Sequence, residues 1–100
     1  MLLFSKPYLV NTDLSYANLS GARLSNINME GVDFRYATLP QTDFHLSYLV
    51  GANFSNANLA GANLHNANLA DSNLDNANLC GAIMPNDDIS QMGCAAISVR

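Results

Sequence analysis

His45 and His65 stand twenty residues apart. If the fold stacks residues at that interval, two imidazoles could share a metal ion. A working site draws three or four ligands, however, and neither a third His nor a carboxylate is arranged with the pair. No metal and no cofactor is therefore expected. Cys80 and Cys94 are the two cysteines. With no export signal ahead of them they read as free thiols in a reducing compartment. Without an activating neighbour a thiol is inert. A catalytic nucleophile needs a base, and the base needs a group to orient it. The serines all occupy repeat or turn positions, and spacing ties neither His to any of them, so no enzymatic activity is expected. Arg23 and Asp43 could form an exposed ion pair, worth roughly 0–1 kcal/mol. Tyr16 and Tyr36 could form a paired aromatic interface. Each of these pairs depends on what the intervening chain does.

That chain is strongly periodic. In steps of five, Leu14, Leu19, Leu24, Met29, Phe34, Leu39, Phe44, Leu49, Phe54, Leu59, Leu64, Leu69, Leu74, Leu79 and Met84 are all large and apolar. Leu, Ile, Val, Met and Phe fill thirty of the 100 positions, so fifteen agreements out of fifteen are not chance. Two residues earlier, thirteen of fifteen positions are Ala, Ser or Thr, and between the two columns eleven of fifteen are Asn or Asp. The unit is Ala-Asn-Leu-x-x. Five residues turn an α-helix through roughly 500°, which scatters the Leu column. On a flat strand an odd period sends successive Leu to opposite faces. The backbone must instead turn a corner once per unit. Ala and Leu then share the inner face of a short extended piece, with Asn pointing out. Gly and Asn dominate the corner positions, where they tolerate turn geometry.

Ala52-Asn53-Phe54-Ser55 and Ala62-Asn63-Leu64 resemble the motif of the pentapeptide repeat family, and the resemblance runs over about residues 12–84. It implies an all-β fold: a right-handed quadrilateral β-helix with four pentapeptides, and so twenty residues, per coil. About four coils follow. Residues twenty apart then stack roughly 4.8 Å apart. Phe34 and Phe54 would stack in the core, and Tyr16 and Tyr36 on an outer corner. Asn53 and Asn73, like Asn58 and Asn78, would form ladders able to hydrogen-bond along the stack. All fifteen large residues are expected to be core.

The expected division is an N-terminal cap or incomplete first coil over 1–11, the β-helix over 12–86, and a C-terminal cap over 87–100. Asn86, Asp87 and Asp88 could cap a short helix in that tail, with Ile89, Met92 and Ala96 at helical spacing. The tail reads as a lid on the last coil. Alternatively, Ile89 and Met92 could meet a second copy in a homodimer.

Only 12 % of the residues are charged and the net charge is −4. Four Lys plus Arg are too few for direct nucleic-acid binding. No stretch approaches the roughly 18 apolar residues of a membrane span. The expectation is a cytoplasmic, non-catalytic structural or protein-interaction module with an unknown protein partner. The family resemblance adds an alternative, a DNA mimic that inhibits a type II topoisomerase. Duplex DNA carries one charge per roughly 1.7 Å, however, and the acids here are few and scattered over several columns.

Overall fold

The computed structural model describes residues 7–95. Every fifth residue from Tyr8 to Asn63 pairs in parallel with the residue twenty positions on, as in Tyr8 with Asn28 and Asn63 with Ile83. The chain therefore winds as a four-sided coil, and four coils stack along one axis. On each level the core residue donates upward and the outward residue donates downward. Leu14 N–H reaches Asp33 O (2.8 Å), and Asp33 N–H reaches Thr12 O (3.0 Å).

The corners explain the period. All fifteen corner residues from Asn11 to Gly81 have φ between 56° and 75°. Most corners also close a turn between the core residue and the next small one, as Ala17 N–H does to Leu14 O. A positive φ at the third residue of such a turn is the type II geometry, which favours Gly or Asn there. Ile27 departs from the pattern, its N–H lying 3.4 Å from the Ser47 hydroxyl.

Inside, Phe34 and Phe54 stack one coil apart with ring centroids at 5.0 Å, and Phe44 meets both edge-on. Met29, Leu39, Leu49, Leu59, Leu64 and Leu79 are fully buried beside them. Most of the small column is buried alongside, and its two buried polar members bond to turn carbonyls: Thr42 to Leu19 O and Ser47 to Leu24 O. Not every core position is sealed as expected. Leu14, Leu19, Leu24, Leu69, Leu74 and Met84 are only partly buried, because their coils stack against a full described coil on one side only.

Two expectations about the ends are corrected. The regular winding already includes residues 7–11, so these are part of the first full coil; Met1–Lys6 lie outside the described residues. At the other end, residues 87–95 form no helix. Pro85, Asn86 and Asp87 make a tight three-residue loop, with the left-handed residue on Asp87 (φ 71°) and Met84 N–H bonded to Asp88 O. This is the hairpin in which a turn is followed by a left-handed residue, and proline suits its first turn position. The chain then runs back over the last coil. Ile83 pairs antiparallel with Ile89, Gly81 N–H reaches Ser90 O, and Leu79 N–H reaches Met92 O. Gly93 makes the approach possible: a Cβ there would lie 2.9 Å from Asn78 Cα. The tail is a lid, as expected, but an extended one; Ala96 lies outside the described residues.

Candidate interaction surface

The outward residues decide what the solenoid can present. All eleven Asn and Asp at the centres of the sides between Asp13 and Asn78 do the same thing. Each side-chain oxygen accepts the backbone N–H two residues on, as Asn58 Oδ1 does from Ala60 N–H at 3.0 Å. That N–H enters the corner and is not used by the ladder between coils. The oxygen therefore caps a donor that would otherwise be orphaned. The expected Asn ladders are replaced by these local bonds, because one oxygen is committed to its own turn.

Five side centres lack Asn or Asp: Tyr8, Arg23, Thr38, Tyr48 and Ile83. Two of the five need no cap. Thr38 precedes Pro40 and Ile83 precedes Pro85, and proline has no N–H. Tyr8, Arg23 and Tyr48 instead stand two residues before Val10, Ser25 and Val50, and these three N–H groups have no hydrogen-bond partner among the described residues. Both tyrosines lie on the same side of the coil, the column Tyr8, Asn28, Tyr48 and Asn68. They are 68 % and 41 % exposed. At the adjoining corner stands Leu46, 49 % exposed and held at φ 62°. A bulky aliphatic residue is ill suited both to that backbone and to water. Leu46, Tyr48, Asn26, Ile27, Asn28 and Glu30 line an open groove of about 360 Å³. The only acid in its lining is Glu30, which has no ion-pair partner among the described residues.

The other candidate residues lie elsewhere. Tyr16 and Tyr36 do stack, with centroids 5.1 Å apart and planes 4° apart, on a corner of the first two coils. Ile89 and Met92 are exposed on the returning tail over the fourth coil, so the two pairs belong to opposite ends of the molecule. His45 and His65 stack at 5.0 Å. A carboxylate does accompany them, contrary to expectation. Asp87, delivered by the reversing loop, accepts a hydrogen bond from His65 Nδ1, and Asn66 Nδ2 donates to Nε2 (3.1 Å). Among the described residues no three His, Cys, Asp or Glu are grouped as metal ligands.

Arg23 and Asp43 are stacked neighbours but do not pair; Asp43 Oδ1 accepts the His45 N–H, and the arginine ion pair among the described residues is that of Arg35 with Asp33. Arg35 holds Asp33 through its Nε and Nη2, 2.8 Å at the closest. Those bonds hold the Asp33 carboxyl below its ordinary range. Hydrogen bonds from the Ser15 hydroxyl and N–H do the same for Asp13. The two cysteines are not free. Cys80 and Cys94 form a disulfide, because the lid strand brings their Cα atoms to 4.7 Å, a juxtaposition that fourteen residues of sequence separation did not show.

A four-sided solenoid of five-residue units, with a small and a large residue inside and a capping Asn outside, defines a class of repeat protein. The family model for pentapeptide repeats, which describes eight copies of the unit, matches residues 12–49 and again residues 47–84. The chain belongs to the pentapeptide repeat family, and its fold is the right-handed quadrilateral β-helix. No curated protein matches it. Among solved structures it is similar to a pentapeptide repeat protein of the Arabidopsis thaliana thylakoid lumen: 35 % identity, TM-score 0.77, over 78 % of this chain and 54 % of that one. It is also similar to HetL of Nostoc, a pentapeptide repeat protein involved in heterocyst differentiation regulation: 26 % identity, TM-score 0.51, over 87 % of this chain and 51 % of that one. The chain thus spans about half the length of each.

Proposed function

We propose that this protein is a non-catalytic protein-interaction module whose binding surface is the side carrying Tyr8, Leu46 and Tyr48. One observation carries the reading. On this side the repeat abandons its own rules twice, giving up a turn cap at Tyr48 and placing Leu46 in a left-handed corner, and each departure exposes an apolar side chain. Local departures without a structural gain mark functional positions. The groove beside them matches an extended peptide that presents an apolar side chain to Leu46 and Tyr48. A neighbouring Lys or Arg would meet Glu30.

The test uses Leu46→Asn with Tyr48→Asn. Both substitutions restore the repeat, so the variant should be the more stable protein. About 1 kcal/mol comes from the relieved corner and about 0.5–1.5 kcal/mol from the regained cap, read as a higher melting temperature. In pull-downs from source cells, the partner held by the wild-type protein should be lost by this better-folded variant. Capture of the same proteins by both would overturn the reading.

A further inference from the structure

We propose that the Cys80–Cys94 disulfide is a thiol–disulfide exchange site, and that its reduction opens the strand edge of the last coil. The returning tail has two halves, held in different ways. Near the loop it is fixed by noncovalent bonds: Asp87 on His65, Asn86 on Asp88, Met84 N–H on Asp88 O, and Ser90 N–H on Ala82 O. Beyond Ser90 the attachment thins. Among the described residues one backbone bond remains to the coil, from Leu79 N–H to Met92 O, and then comes the disulfide. Apolar packing does not substitute for it, since Met92 and Ile89 both face water. The covalent bond is therefore what keeps the far half of the tail over Leu79.

What that half covers is an unpaired strand edge, the feature of a solenoid end most able to recruit another strand. Each coil below has its edge filled by the next: Leu59 N–H bonds to Asn78 O as Leu79 N–H bonds to Met92 O. Cys80 and Cys94 are half-buried, so a small dithiol reaches them. In the reaction a donor thiolate attacks one sulfur and expels the other, which takes up a proton. The donor's second thiol then resolves the mixed disulfide. Two electrons and two protons pass to the protein, which gains two thiols, and the donor becomes a disulfide. Oxidising compartments hold such bonds closed and reducing ones open them, so the state of this edge follows the redox surroundings.

Amide hydrogen exchange of the full chain tests the proposal, with dithiothreitol as the dithiol and Leu59 as the internal reference. On reduction Leu79 should exchange roughly tenfold faster or more, while Leu59 is unchanged. Reoxidation should restore the protection. The Cys80→Ser/Cys94→Ser double variant should exchange like the reduced protein and ignore dithiothreitol. Unchanged exchange at Leu79 would show the tail held by its own hydrogen bonds and would overturn the proposal. Equal acceleration at Leu59 would make the disulfide a general staple and would also overturn it, as would a response of the double variant to dithiothreitol.

Discussion

Each Asn or Asp at the centre of a side closes a hydrogen bond that the ladder between coils leaves open, and at Asp33 the same residue also carries a charge. Its oxygens accept from both the Arg35 backbone and the guanidinium, which is why its carboxyl titrates below the ordinary range. A carboxyl depressed in the folded state adds stability above its unfolded pKa, about 3.9, and loses it as pH falls through the lower folded value. Asp33→Asn keeps an oxygen for the Arg35 N–H and removes the charge. The variant should lose less melting temperature than the wild-type protein between neutral pH and pH of about 3; equal losses would contradict this. The Asn column was plain in the sequence, but its purpose was not. Stacking at the coil interval suggested ladders, whereas the governing fact is a single backbone donor two residues away, visible only once each N–H is traced.

One coil is the unit of packing, and a coil's stability depends on its neighbours. Leu59 is fully buried between a coil below and one above, whereas Leu14 is only partly buried in the first. Leu59→Ala should cost about 2–5 kcal/mol, through lost transfer energy and a residual cavity. Leu14→Ala should cost about 1–2 kcal/mol, since part of its surface already meets water. Denaturant melts of the two variants give the ordering; equal costs would mean that the first coil is as well sealed as the third. This level was the most legible from sequence. The five-residue period assigns the core, and the stacked phenylalanines follow from Phe34 and Phe54 lying one coil apart. The lid was not legible, because Ile89 and Met92 suit a helix by spacing. Their extended path is fixed instead by a long-range pairing with Ile83 and by Gly93 passing close over Asn78.

The charge pattern of the whole molecule bears on the family alternative of DNA mimicry. The column of side centres that starts with Asp13 and Asp33 continues as Asn53 and Asn73, and Arg35 pairs with the second of its two acids. A duplex presents unbroken charge at roughly 1.7 Å intervals, so this surface is a poor copy. A gyrase supercoiling assay should show no inhibition at micromolar protein, and inhibition there would revive the alternative. The proposed interaction surface around Leu46 was hidden in the sequence, since a leucine at a corner looks like ordinary variation until its backbone angle and exposure are known together. The prolines carry a consequence of another kind, concerning the order in which such a repeat can change. Where proline follows two residues on, the side centre is released from its capping duty, so Thr38 and Ile83, with Pro40 and Pro85 behind them, leave no donor uncapped, as Tyr48 does. A lineage that gained proline first could lose asparagine freely, while the reverse order passes through an uncapped intermediate. Ile83, which pairs with the lid, is thus a foothold opened by Pro85, the same residue that ends the winding.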